Sequence, residues 1–169
     1  MRVAWLFVLA TACGGNDALP DGGGGKPIDA PSGAMTPAQA CVQKTNFYRM
    51  TVPAPGTGAA RPALAESSAL DTYATTGAMY DFSNSPHAHF MATNGGGIAF
   101  AENECPVQGN WMIQPGQSLN TVVAACVQAF YNGGPGEGHY ENMMGSYGSL
   151  GCGIYQMGTG ITIVQDFGN

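Results

Sequence analysis

The cysteines of this 169-residue chain limit its possible folds more than any other feature. Cys13 follows an apolar run near the N-terminus, and four others are spread over the rest of the chain: Cys41, Cys105, Cys126 and Cys152. They form no Cys-x-x-Cys pair, which argues against a zinc ribbon and a thioredoxin-type redox site. In an exported protein, four cysteines predict two disulfides. Three pairings are possible, and the sequence does not decide among them.

The start of the chain predicts export. Arg2 precedes an unbroken apolar run, Val3–Ala10, which is shorter than the about 20 apolar residues that cross a bilayer. Small residues directly before Cys13 resemble a bacterial lipobox, in which the cysteine is lipidated and becomes the new N-terminus. That motif prefers leucine where Ala10 stands. We therefore interpret residues 1–13 as a signal peptide with a lipobox-like end, and ordinary signal-peptidase cleavage nearby is the alternative.

Residues 14–35 have a different composition from the rest of the chain. They are rich in Gly, Pro and Asp and contain almost nothing apolar to bury. Such a segment predicts a disordered tether, and its 22 residues would have a root-mean-square span of about 25 Å. Residues 36–169 then remain as one folded domain, and 44 % hydrophobic residues in the chain are enough for a core.

The charge of the chain excludes one class of partner. It has 5 Lys and Arg against 11 Asp and Glu, a net charge of −6, and beyond residue 35 only Lys44, Arg49 and Arg61 are basic. Binding to a phosphate backbone depends on a basic surface. We therefore expect no nucleic-acid partner.

The pattern of apolar and capping residues predicts an α+β domain. A helix begins at Thr36-Pro37 and runs to about Thr51, since a hydroxyl cap, a proline and a glutamine follow in the favoured order. Further elements are expected as follows: a helix over about 63–80, a helix from a cap at Ser118 or Asn120 to the glycines at 133, and a hairpin of strands 150–156 and 161–167. Residues 98–105 fit either a strand or a short helix.

Three histidines lie near acidic residues, in segments that are typical of loops: His87, His89 and His139. Glu102 and Glu104 follow the first two, whereas Glu137 and Glu141 flank the third. Two imidazoles with one or two carboxylates are a suitable ligand set for zinc or another divalent ion, and equally for a general acid–base pair. Solvated loop residues without a chemical role are the other interpretation. No motif for a serine nucleophile accompanies them.

Four segments follow one another in the order found in a known family. The first is Asn46-Phe47-Tyr48-Arg49, similar to an early Asn-x-x-Arg pattern; next come Ala101-Glu102-Asn103, similar to Gly-Glu-Asn, then Gly138-His139-Tyr140-Glu141-Asn142-Met143, similar to Gly-His-Tyr-Thr-Gln-Met, and Gly151-Cys152-Gly153. From Thr36 to Asn169 the chain thus resembles the CAP superfamily of cysteine-rich secretory proteins, allergens and pathogenesis-related proteins, also called the SCP domain.

The resemblance implies a three-layer α-β-α sandwich with a central antiparallel sheet and a cleft that holds two histidines and two glutamates. His139 and Glu102 match the family's motifs directly. The upstream histidine is His89, with His87 as its substitute, and these residues would be the metal ligands. The helix before the Gly-His-Tyr motif has no acid, so Glu137 is the candidate for the second glutamate of the cleft.

The expected function follows from these features together. We expect an exported protein, either secreted or held by lipidated Cys13 at a membrane facing the periplasm or the cell exterior. Its His/Glu cleft would bind a small molecule, a lipid, an envelope component or a partner, or a divalent metal, without strong catalysis. The alternative is a metal-assisted hydrolase of extracellular or envelope material with Glu102 as its base. Fold alone does not choose between them.

Overall fold

The computed structural model describes residues 34–51 and 59–169. They belong to the unit Ala34–Asn169. The predicted signal peptide with Cys13, and the predicted tether up to residue 33, lie outside the described residues. Within those residues, no helix has both the length and the apolar character needed to cross a membrane.

The described residues form helices around one sheet, in agreement with the predicted α+β class. The helices are α1 (Pro37–Thr51), α2 (Ser68–Asp81), α3 (Ala88–Thr93), α4 (Leu119–Asn132) and α5 (Gly138–Met143). The strands are β1 (Ala65–Glu66), β2 (Ala101–Cys105), β3 (Ser149–Met157) and β4 (Gly160–Gly168), in the order β1-β3-β4-β2. β4 is antiparallel to both neighbours, whereas β1 is parallel to β3. The sheet is therefore mixed, not wholly antiparallel as the family resemblance implies.

The first helix begins as its sequence predicts. Thr36 Oγ1 accepts a hydrogen bond from the Gln39 amide at 3.2 Å, and Gln39 Oε1 accepts one from the Thr36 amide at 3.0 Å. This reciprocal pair satisfies two amides that lack partners within the helix. Helix α4 is capped in a similar way by Ser118, whose side chain accepts from the Thr121 amide.

The second helix begins later than predicted. Residues 63–67 continue the helical pattern in the sequence, but β1 pairs in parallel with Ser149 and Leu150 of β3. Ser67 then caps α2 by accepting a hydrogen bond from the Leu70 amide. The prediction of a start near residue 63 is wrong because pairing with a distant strand outweighs local helical periodicity.

Glycines in β3 decide how closely α2 packs on the sheet. Because side chains alternate along a strand, Gly151 and Gly153 share one face and Cys152 lies on the other. A Cβ at either glycine would overlap the backbone of α2 at Leu70 or Ala74. Helix α2 thus covers the face of the glycines, and α1 is linked to the opposite face through Cys152.

The two predicted disulfides are confirmed, and the structure supplies their pairing. Cys41 in α1 is bonded to Cys152 in β3, and Cys105 in β2 is bonded to Cys126 in α4. All four are buried in the main hydrophobic core, between the sheet and the helices α1 and α4. The two bonds therefore connect this pair of helices to different strands of the sheet.

Candidate functional site

The site is built on strand β2 at the edge of the sheet. Alternation along this strand places the side chains of Glu102 and Glu104 on the face covered by α2, while Asn103 lies on the other face. In the register between β2 and β4, Glu102 is directly opposite Asp166. Two buried acids in such a pair repel each other when both are charged. The sheet itself thus concentrates carboxyl groups at this edge.

His87 joins this edge through its ring and its main chain. Its Nδ1 atom lies 2.8 Å from Glu102 Oε1 and 3.8 Å from Glu104 Oε2. Its backbone amide donates a hydrogen bond to Glu104 Oε2 at 2.5 Å. The residue has a φ of 62°, in the left-handed region that non-glycine residues adopt at a cost. The hydrogen bonds to the two glutamates offset this cost and aim the imidazole at Glu102.

Three of these side chains form what we name the His/Glu cluster: His87, Glu102 and Glu104. Each offers one ligand atom, and the three atoms lie within 4.8 Å of one another. Among the described residues, the His/Glu cluster is the set of potential ligands close enough together to hold a metal ion. Both glutamate side chains are almost completely buried, whereas the histidine is about one third exposed. The cluster can therefore be reached from solvent on the histidine side.

His89, the histidine favoured by the resemblance, takes a different position. Its backbone amide donates to Asp81 Oδ1 at 2.8 Å, and its ring packs near Tyr73 at 4.8 Å between centroids. Its Nδ1 atom is buried without a hydrogen-bond partner among the described residues, and it lies 3.3 Å from where a Cβ of Gly77 would stand, with Glu102 Oε2 at 3.9 Å from the same point. Of the two upstream histidines, His87 is the one whose ring contacts Glu102.

His139 reaches the cluster from the other side of the edge strand. It lies in the first turn of α5, a helix where the sequence pattern predicts a loop, and its ring centroid is 6.4 Å from that of His87. Glu137 caps this helix by accepting from the His139 amide at 2.9 Å, and its Oε1 lies 3.4 Å from His139 Nδ1. The structure therefore brings the two imidazoles together, while Glu137 contacts His139 and not the cluster glutamates.

Burial and hydrogen bonding shift the pKa values of the cluster. Burial raises the pKa of Glu104 to about 7, against a weaker opposing effect of the hydrogen bond from the His87 amide. Burial also raises the pKa of Glu102, which its hydrogen bond with His87 partly offsets. The same hydrogen bond raises the pKa of His87. For His139, burial dominates and lowers the pKa.

Two acids near the centre of the site were not singled out from the sequence, Asp81 and Asp166, and Glu104 was noted there only as a carboxylate near the histidines. Asp166 is completely buried, and burial together with the nearby Glu102 raises its pKa to about 9. Asp81 is also fully buried, and burial raises its pKa. The sequence signal for Asp166 is an acid within the apolar strand 161–167, and its partner becomes visible only with the strand register.

The carboxyl groups of the His/Glu cluster could hold a divalent cation. Within the described residues, buried oxygens without a hydrogen-bond partner occur on all four acids: Asp81 Oδ2, Glu102 Oε2, Glu104 Oε1 and both oxygens of Asp166. The ion pairs that the described residues supply to Glu102 and Glu104 are with His87. Buried charges are costly unless they are paired, protonated or bound to a metal. Carboxylate and imidazole donors together suit zinc and other divalent ions.

Two comparisons with known proteins, one with family models and one with curated proteins, found no relative. The chain matches no model of a protein family, and no curated protein is significantly similar to it.

Proposed function

We propose that this chain is an exported, lipid-anchored protein whose His/Glu cluster binds a divalent metal ion such as zinc. The observation that supports the proposal is the convergence of His87, Glu102 and Glu104 within 4.8 Å, with unpartnered buried carboxylate oxygens beside them. A bound divalent ion would supply the positive charge that these acids lack. His87 is held by two glutamates and would provide an imidazole ligand, and the ring of His139 lies beside it, 6.4 Å away between centroids.

We also propose that the domain, residues 36–169, belongs to the CAP superfamily. The support is a set of contacts between the two most specific motifs. Asn103 Nδ2 donates to the His139 carbonyl at 3.0 Å, and Asn142 Nδ2 donates to the Glu102 carbonyl at 3.1 Å. Each motif thus positions the chemically active residue of the other. Helices packed on both faces of one sheet agree with the expected α-β-α sandwich.

Binding without strong catalysis is the role that the local contacts favour. Glu102 Oε1 is engaged by the ring of His87, and Glu104 Oε2 by its backbone amide. A general base works best when it can reach a water or a substrate proton directly. The second oxygen of each, Glu102 Oε2 and Glu104 Oε1, is buried, so these glutamates are better placed to retain an ion, or a ligand that contacts it, than to take a proton from a solvent water.

Calorimetric titration of the oxidised, exported protein with Zn²⁺ at neutral pH tests the metal site. We expect stoichiometric binding that weakens about 100-fold in His87→Ala, because an imidazole ligand and the partner of Glu102 are lost together. A smaller loss is expected in His139→Ala. His89→Ala tests the alternative ligand, since His89 Nδ1 and Glu102 Oε2 lie beside the same face of Gly77, and we expect it to weaken binding less than His87→Ala does.

Two results would contradict the proposal. Zinc binding that persists in His87→Ala would place the ion elsewhere. Binding lost in His89→Ala but retained in His87→Ala would restore the ligand set favoured by the family resemblance. If zinc does not bind at all, the cluster is not a metal site for this ion, and the same variants can be titrated with Mn²⁺, which accepts more oxygen ligands.

A further inference from the structure

An apolar groove lies on the face of the sheet opposite α2. A groove of about 590 Å³ runs between α1 and α4, and no residue of the His/Glu cluster lines it. Its apolar side chains include Met35, Phe47 and Met50, all of them large and well exposed. We name it the α1/α4 groove. Exposed apolar side chains gathered in one place mark a surface that contacts another apolar phase.

The predicted tether meets the domain at this groove. Met35 is the last residue of the segment 14–35, and it is one of the residues that line the groove. Its carbonyl accepts a hydrogen bond from Asn120 Nδ2 of α4 at 2.9 Å, which fixes the entry point of the chain. The 22 residues from 14 to 35 span about 25 Å on average. A lipid on Cys13 would therefore hold this side of the domain near the bilayer.

The charge of the groove differs from that of the whole protein. The chain carries a net charge of −6, yet among the described residues the groove is lined by Lys44 and by no acid. The Lys44 ammonium lies over the rings of Phe47 and Tyr48, 5.3 and 4.9 Å from their centroids. An ammonium held over aromatic rings places a positive charge beside apolar side chains, a combination suited to the boundary between anionic headgroups and acyl chains.

We propose that the α1/α4 groove is the surface with which the protein rests on a lipid bilayer. The inference rests on the proposed lipidation of Cys13 and is independent of the proposed metal site. Phe47 and Met50 would lie at the boundary between headgroups and acyl chains, and Lys44 would face anionic headgroups. On this arrangement α2, on the opposite face of the sheet, is directed away from the membrane.

Oxidation of the protein's own methionines tests this surface. The exported full chain is placed in vesicles of phosphatidylethanolamine and phosphatidylglycerol, treated with hydrogen peroxide, and analysed by mass spectrometry for oxidation at each methionine. The Cys13→Ser protein in solution serves as the reference. Two methionines outside the groove match those inside it in exposure: Met112 at 42 % matches Met35 at 40 %, and Met79 at 54 % matches Met50 at 52 %.

We expect oxidation of Met35 and Met50 to slow several-fold on vesicles, while Met112 and Met79 react at their solution rates. Phe47→Ser should reduce the protection of Met50. Phe100→Ser, which removes a ring of similar exposure outside the groove, should not.

Other outcomes overturn the proposal. Equal oxidation rates at all four methionines on vesicles would show that this face does not touch lipid. Slow oxidation of Met35 and Met50 already in solution would show that something other than a bilayer covers the groove, such as a second copy or a free amphiphile. An intact mass without acyl groups would remove the anchor on which the inference rests. None of these results bears on zinc binding, which the calorimetry measures separately.

Discussion

Glu104 shows how one residue can serve both the backbone and the site. Its Oε2 atom accepts the hydrogen bond from the His87 amide, while its Oε1 atom is buried without a partner among the described residues. Burial is the stronger influence, and it raises the pKa to about 7 from the usual 4.5. Near neutral pH, the residue is therefore divided between a neutral form that suits the buried site and a charged form that suits a cation.

The pH dependence of stability follows from that shift. Because the pKa of folded Glu104 lies above its usual value, its contribution to stability is fully present below pH 4.5 and is lost as the pH rises through about 7. Without metal, we expect the free energy of unfolding to fall by on the order of 3 kcal/mol between about pH 4 and pH 8 through this residue alone. Asp166, with a pKa of about 9, acts in the same direction.

Urea unfolding at a series of pH values, for wild type and Glu104→Gln, measures this contribution as the difference between the two curves. Glutamine keeps an acceptor for the His87 amide and removes the charge, so its curve should be flatter. Added Zn²⁺ should restore stability at high pH in the wild type only. Parallel curves would show that Glu104 has no raised pKa in the folded protein.

Among the elements, strand β3 packs differently on its two faces: it has glycines against α2 and a disulfide-bonded cysteine on the side of α1. Its glycines allow α2 to approach the sheet so closely that the helix backbone stands where a side chain would be. Small residues of α2, Ala74 and Ala78, are completely buried in this contact. The close approach also brings Asp81, at the end of α2, to the acids of β2 and β4. Helix and sheet thus form the site through backbone packing.

A single methyl group tests this packing. Gly153→Ala would place a Cβ against the backbone of Ala74 and Thr75, which cannot move without displacing α2. We expect a loss of about 3 kcal/mol or more in the free energy of unfolding, at the upper end for overpacked cores. Gly148→Ala is the matched control, because a Cβ there would make ordinary contacts at 3.5 Å or more and no change of φ is needed. Equal losses in both variants would rule out close packing as the cause.

Across the whole molecule, the two disulfides differ in the length of chain that they close. Cys41 and Cys152 are 111 residues apart, and Cys105 and Cys126 are 21 apart. The longer loop loses more conformational entropy when it is closed, so its bond restricts the unfolded chain more. The shorter loop begins directly after Glu104. It therefore anchors the edge strand that carries the cluster glutamates to α4.

Removing each disulfide should separate stability from metal binding. Replacing Cys41 and Cys152 by alanine should cost about 5 kcal/mol of unfolding free energy, and replacing Cys105 and Cys126 about 3 kcal/mol. Zinc affinity should respond in the opposite order, because the second pair of changes frees the end of β2. Urea unfolding and zinc titration of both variants provide the two readouts. Unchanged affinity without the Cys105–Cys126 bond would show that β2 needs no such anchor.

Local sequence signals predicted much of this architecture. The caps at Thr36 and Ser118 are formed by local side chains, so the sequence predicted the start of α1 directly and that of α4 to one of two candidate caps, Ser118 or Asn120. The terminal hairpin was predictable for the same reason, whereas the number of disulfides followed from the count of cysteines in a chain expected to be exported. Glu102, His87 and His139 could be named as candidates because their residue types are rare in this chain and suited to metals.

Contacts between distant segments decided the rest. Because β1 pairs in parallel with β3, α2 begins later than local periodicity predicts. The register of β2 on β4 places Glu102 opposite Asp166. The choice of His87 over His89 follows from a left-handed backbone held by Glu104, seventeen residues away. The sequence by itself thus determined which elements and which reactive residues exist. Only the tertiary structure decided which of them meet, because burial and strand register depend on groups far apart in the chain.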